Sequence, residues 1–109
     1  MQLTVQFYPN DNGNPAGKLA DAELYFGEGS GAFAGLKLVG WAVWERKGGG
    51  RNVTFPARSY SINGERRTFS LVRPVSDVTA QESMRDFILA EYKKFEAALA
   101  IPDLTGGSR

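Results

Sequence analysis

The residues best suited to chemistry in this chain are cationic and aromatic, because histidine and cysteine are both absent. Without cysteine there is no thiolate nucleophile, no disulfide and no zinc site built on sulfur. Without histidine the commonest general base and the commonest transition-metal ligand are missing. We therefore expect a protein that is not an enzyme and that has no cofactor, metal or small-molecule substrate. A small enzyme of unknown reaction is the third-ranked alternative.

Positive charge is concentrated in the middle of the chain. The 109 residues carry a net charge of only +1, yet residues 37–73 contain eight basic and two acidic residues, a net charge of +6. The flanking segments, residues 1–36 and 74–109, are net acidic. Guanidinium groups bind phosphate oxygens through paired hydrogen bonds, and aromatic rings stack on bases. The central segment therefore predicts nucleic-acid binding.

Two hairpin turns are predicted, at residues 46–51 and at Asn63-Gly64. The candidate binding residues are the cations around these turns and the two aromatic residues expected to be exposed near them. They are Arg46, Lys47, Arg51, Arg58, Arg66, Arg67 and Arg73, with Trp44 and Tyr60. Trp41, Phe55 and Phe69 are interleaved with these residues, although aromatic side chains in strands more often fill the core. The competing interpretation is a solvated sheet face on which the arginines pair with Glu45 and Glu65.

Alternating apolar and polar residues predict the strands that position these side chains. Asn63-Gly64 is a strong hairpin signal, and pairing across it would place Arg58 opposite residues 65–67. The third strand is apolar on both faces, which is typical of a central strand covered on both sides. Pro56 indicates an edge position or a bulge. The predicted strands cover residues 3–7, 20–26, 36–45, 53–57 and 68–72.

A C-terminal helix is predicted by residues at three- and four-residue spacing from Met84 to Leu99. Thr79 and Glu82 match a capping box at its start, and Pro102 ends it. The fold class is therefore α+β, an antiparallel sheet of about five strands followed by one amphipathic helix packed on it. We expect one domain over residues 1–102 and a flexible tail over residues 103–109.

The order of features from Trp44 to Phe95 resembles the SpoVG family of small bacterial regulators (stage V sporulation protein G). The resemblance rests on short motifs in about half of the chain, and Phe55 stands where the family has methionine. It implies an antiparallel sheet, a C-terminal helix, dimerisation through the sheet, and binding to DNA or RNA. The matching positions are Val53-Thr54-Phe55-Pro56, Arg58, Asn63-Gly64, Pro74 and Leu89-Ala90-Glu91-Tyr92.

Taken together, these features predict a cytoplasmic nucleic-acid-binding homodimer with no membrane association. Single-stranded DNA or RNA is favoured over duplex, because no helix with a basic face is available to enter a major groove. The alternative is a protein–protein interaction module that uses the sheet edge or the helix. In that case the aromatic residues would form the contacts and the cations would only keep the surface soluble.

Overall fold

The computed structural model describes residues 2–100 and confirms an α+β fold with antiparallel sheets and one C-terminal helix. There are six strands in two sheets: a four-stranded sheet in the order β1-β2-β3-β4, and a separate hairpin of β5 and β6. The elements are β1 (Leu3–Pro9), β2 (Lys18–Phe26), a 3-10 turn (Gly31–Phe33), β3 (Lys37–Glu45), β4 (Arg51–Thr54), β5 (Ala57–Ile62), β6 (Glu65–Ser70) and α1 (Thr79–Ala100).

The hydrophobic core lies between α1 and one face of the four-stranded sheet. Leu24, Trp41 and Val43 on the sheet and Ile88 on the helix are all less than 2% exposed. The edge strand β1 joins this core through Phe7, whose ring centre lies 5.1 Å from that of Tyr92. We call the four-stranded sheet and α1 the body of the protein.

The expectation that β3 is covered on both faces is wrong. Leu38, Trp41 and Val43 face the helix, because an irregularity around Val39 and Gly40 shifts the alternation between Leu38 and Trp41. Val39 is left 51% exposed. Gly40 adopts a φ of +106°, a conformation that L side chains rarely adopt. The apolar residues of β3 therefore do not imply a second covering layer.

The predicted fourth strand is divided at Pro56. Its first part is β4, which pairs with β3, and its second part belongs to β5, which turns back into β6. The turn residues Asn63 and Gly64 have φ values of 53° and 77°, the two positive φ angles that a two-residue hairpin turn favours. The hairpin prediction is therefore confirmed. We call residues 57–70 the arm.

The helix begins differently from the predicted capping box. The side chain of Asp77, rather than that of Thr79, caps the first turn: its Oδ1 accepts a hydrogen bond from the Thr79 N–H at 2.8 Å. Hydrogen bonding from the Thr79 hydroxyl, together with that from its backbone N–H, lowers the pKa of the Asp77 carboxyl. Pro102 and the predicted tail, residues 103–109, lie outside the described residues. No helix in the described part of the chain combines the length and apolar character needed to span a membrane.

Candidate nucleic-acid interface

The arm presents two chemically different faces. Pairing across β5 and β6 sets Arg58 opposite Phe69 and Tyr60 opposite Arg67, so these four side chains share one face. Each aromatic residue thus has an arginine directly across from it and, on the diagonal, the other aromatic residue. The position of Arg58 differs from the predicted one opposite residues 65–67, because the two-residue turn sets a register that pairs it with Phe69. We call this face the stacking face.

The stacking face is extended at the base of the arm by Arg73. Its guanidinium carbon lies 4.1 Å from the centre of the Phe69 ring, a cation–π contact, and its Nε donates to the Ser70 carbonyl at 3.0 Å. A third cation is therefore fixed beside the same aromatic residue. Tyr60 and Phe69 are 39% and 47% exposed, so their rings are accessible to a ligand.

The side chains on the opposite face of the arm are small or carry hydroxyl groups, apart from the cation Arg66. Ser59 pairs with Thr68, and Ser61 pairs with Arg66. Every residue of β5 and β6 is exposed, on both faces. The arm therefore contributes nothing to the core, and its large side chains are accessible to a ligand or another protein.

Most of the cations on the arm and at its base have no ion-pair partner among residues 2–100. Arg67 lies 2.9 Å from the carboxylate of Glu65, and this pair is exposed. Within residues 2–100, no carboxylate lies within ion-pair distance of Arg58, Arg66 or Arg73. The predicted pairing of the arginines with Glu45 and Glu65 is thus found for Arg67 alone.

Arg46 and Lys47 lie in the β3–β4 turn, away from the arm. The arm leaves the body beside Gly40, where a Cβ atom would stand 3.2 Å from the Cβ of Pro56. Arg46 comes six residues after Gly40 along an extended strand, a distance of about 20 Å. The structure therefore places Arg46 and Lys47 at the C-terminal end of β3, whereas the arm begins after Pro56, which lies against Gly40 in the interior of β3.

Arg51 and Trp44 belong to the body. The Arg51 guanidinium forms an ion pair with Glu96 and lies 5.4 Å from the ring centre of Tyr92, which ties β4 to α1. The Glu96 carboxylate raises the pKa of Arg51. Trp44 is half-buried and donates its indole N–H to Thr54 at 2.8 Å. Both side chains therefore already have partners within the protein.

Phe69 lies on the stacking face of the candidate interface but is not among the predicted binding residues. The signal for it is the two-residue turn: once Asn63 and Gly64 form the turn, counting outward places Phe69 on the same face as Tyr60. The general preference of aromatic residues for the core conceals this. Phe69 therefore replaces Trp44 as the second candidate for stacking.

An apolar cleft of about 210 Å³ lies at the base of the arm. Phe55, Val72 and Met84 form its apolar lining, with Arg73 at its side. The chain around it exposes further apolar side chains, with Leu71 56% and Val75 99% exposed. This cleft extends the accessible surface of the arm toward the start of α1.

A second polar cluster occupies the sheet face that α1 leaves uncovered. Glu23 Oε1 accepts hydrogen bonds from the Tyr25 hydroxyl at 3.0 Å and from Lys37 Nζ at 3.0 Å, with the Tyr8 hydroxyl at 3.4 Å. The Lys37 ammonium is the main cause of a lowered pKa for Glu23, and Glu23 in turn raises the pKa of Lys37. The charges in this cluster compensate one another, which makes it a weaker anion site than the arm.

Comparison of the chain with protein-family models, with curated protein sequences and with solved structures found no significant match. The resemblance to the SpoVG family therefore stays a prediction. The candidate interface rests on the geometry and charge of the arm.

Proposed function

We propose that the protein binds single-stranded nucleic acid through the arm, as a homodimer. The observation that carries the proposal is the stacking face, where Arg58, Arg67 and Arg73 alternate with exposed aromatic rings. Phosphates would contact the guanidinium groups, and bases would stack on Tyr60 and Phe69. The expected setting is the cytoplasm, since the chain lacks cysteine.

Single strands fit this face better than duplexes because their bases are free to stack. A duplex keeps its bases inside, so that Tyr60 and Phe69 could contact only base edges in a groove. Aromatic platforms tolerate any base sequence, because every base has a flat π surface. The proposal therefore includes weak sequence preference and strong dependence on salt.

A protein–protein interaction is the second candidate, supported by the apolar surface around the arm. Ile62 at the arm tip is 49% exposed, and Leu71 and Val75 are exposed beside the apolar cleft. A protein partner would cover these side chains and depend little on the arginines. The two candidates therefore differ in how strongly binding responds to salt.

Fluorescence anisotropy with labelled single-stranded DNA, single-stranded RNA and duplex DNA tests the proposal. We expect binding to both single strands, weaker binding to the duplex, and a loss of affinity as salt increases. The triple variant Arg58→Ala, Arg67→Ala, Arg73→Ala should reduce the log–log salt slope for single-stranded DNA by about 2, at roughly 0.7 per lost phosphate contact.

A matched control removes three exposed cations that lie away from the stacking face. The variant Arg46→Ala, Lys47→Ala, Lys93→Ala changes the net charge by the same amount and should keep nearly the wild-type slope. Equal weakening by both triple variants would mean that only overall charge matters, and would contradict a site on the arm. No binding of any oligonucleotide at low salt, where screening is least, would exclude the nucleic-acid function and favour a protein partner.

A further inference from the structure

Among residues 2–100, β1 pairs with β2 alone, and no strand pairs with its other edge. β1 lies at one end of the sheet and pairs with β2 over seven consecutive residues, from Leu3 to Pro9, without an irregularity. Its sequence, LTVQFYP, contains no charge. Edge strands are commonly protected by charges, bulges or short length, and Pro9 at its end is the single such feature in β1.

The other edge of the sheet is better protected. β4 is only four residues long and carries Arg51 at its start. Pro56 follows its last residue by two positions and lacks an N–H to donate. The two edges therefore differ in their capacity to pair, and β1 is the open one.

The backbone groups that point outward from β1 belong to its odd-numbered residues. Gln2 and Asn10 both direct their N–H groups toward the β2 side, to the carbonyls of Glu28 at 3.0 Å and Leu19 at 2.9 Å. Since hydrogen-bonding direction alternates along an antiparallel strand, Leu3, Val5 and Phe7 direct their N–H and C=O groups away from β2.

We infer that two copies of the chain pair through their β1 strands, antiparallel and centred on Val5. In this register Leu3 of each copy lies opposite Phe7 of the other, and the outward N–H and C=O groups of residues 3, 5 and 7 form six hydrogen bonds. Registers that include Pro9 lose a donor. On the uncovered face, Thr4 of each copy would lie opposite Gln6 of the other, without any clash of charge.

The apolar side chains of β1 support a second copy as the occupant. Leu3 and Val5 are partly exposed although they pack against the core, and Phe7 already contacts α1. Pairing would continue the core of one copy into the core of the other across an eight-stranded sheet. The inference rests on the homodimer of the proposed function, but it does not require nucleic-acid binding, and it leaves both arms free.

Sedimentation equilibrium of two double variants tests the register. Thr4→Lys with Gln6→Lys places like charges opposite one another twice in the dimer, whereas Thr4→Glu with Gln6→Lys places opposite charges at the same positions. Cross-strand charge pairs each change stability measurably. We expect the dimer dissociation constant of the Lys/Lys variant to exceed that of the Glu/Lys variant by about tenfold or more.

Circular dichroism of both variants at matched concentration confirms that each is folded, so that a failure to fold is not mistaken for dissociation. A wild-type protein that is monomeric at about 100 micromolar would overturn the inference. Equal dissociation constants for the two variants would also overturn it.

The triple variant Arg58→Ala, Arg67→Ala, Arg73→Ala, here called the arm triple variant, separates this inference from the proposed function. It should sediment as a dimer while losing oligonucleotide affinity. A wild-type dimer that responds to the β1 charges but binds no oligonucleotide would contradict only the nucleic-acid function. A monomeric arm variant would show that the arm holds the two copies together, which overturns the pairing through β1.

Discussion

The body and the arm use the same residue types for opposite purposes. In the body, Arg51 joins Glu96 and Tyr92, and aromatic rings such as Trp41 are buried. On the arm, Arg58 and Tyr60 are exposed on a hairpin that covers no part of the core. The comparison shows that residue type alone does not separate structural side chains from the proposed binding side chains in this chain. Their position relative to the four-stranded sheet does.

The arm also differs from the body in what stabilises it. An isolated two-stranded hairpin is marginally stable in water, because it has backbone pairing but little hydrophobic burial. Large exposed side chains on such an element add little to the stability of the fold. We propose that these side chains serve instead to contact a ligand or a partner.

The largest contrast is expected from the same substitution made in each region. Ile88→Ala removes a fully buried side chain and should lower the free energy of unfolding by about 2–5 kcal/mol. Ile62→Ala, at the exposed arm tip, should change it by less than about 0.5 kcal/mol. Urea unfolding followed by circular dichroism measures both. Similar losses in the two variants would show that the arm packs on the body.

The aromatic residues of the stacking face should matter for binding and not for stability. Tyr60→Ala and Phe69→Ala should each weaken binding of single-stranded DNA by about 1–3 kcal/mol, the value of one stacked base. Tyr60→Phe keeps the ring and serves as the control. Affinity comes from anisotropy titration. If the Tyr60→Ala variant bound single-stranded DNA as tightly as the Tyr60→Phe variant, the proposal that a base stacks on Tyr60 would be wrong.

Two arginines provide a reciprocal test. Arg51→Ala breaks the contact between β4 and α1 and should cost about 0.5–1 kcal/mol of stability, a small value because the ion pair is partly exposed and screened. Its oligonucleotide affinity should be unchanged. Arg58→Ala should show the reverse pattern, with reduced affinity and unchanged unfolding. Loss of affinity in both would mean that the interface extends onto the body.

The smallest expected effect concerns acid stability of the body. Lys37 lowers the pKa of Glu23 in the folded protein, so the unfolded chain takes up the proton at higher pH than the folded one does. The stabilisation by Glu23 is therefore complete above its unfolded pKa and is lost as pH falls through its folded pKa. Glu23→Gln should show a smaller drop in melting temperature between pH 7 and pH 3. An unchanged drop would exclude a contribution from this carboxylate.

Several features of the fold could be predicted from local sequence. Apolar alternation indicated β1 and β2, and the stripe from Met84 onward indicated α1, because burial on one face leaves a periodic pattern. Asn63-Gly64 indicated the hairpin turn, since few other residue pairs adopt its two positive φ angles.

The separation of the arm from the sheet could not be predicted in this way. Residues 53–57 have the pattern of one strand, and whether the chain continues along β3 or leaves it at Pro56 depends on tertiary contacts. Gly40 is one such contact, since it lies against Pro56 and comes from a distant part of the sequence. The same limit applies to the site: Arg51 and Arg58 are equivalent in sequence terms, but Arg51 lies on the four-stranded sheet against α1 and Arg58 lies on the arm.

Amide hydrogen exchange with and without a single-stranded oligonucleotide tests the central claim most directly. In the free protein, amides of β1–β4 and α1 should exchange slowly and those of residues 57–70 quickly, because the arm has no core to protect it. Added oligonucleotide should slow exchange in residues 57–70 and leave the β3–β4 turn around Lys47 unchanged. Protection of that turn, with the arm unchanged, would contradict the account.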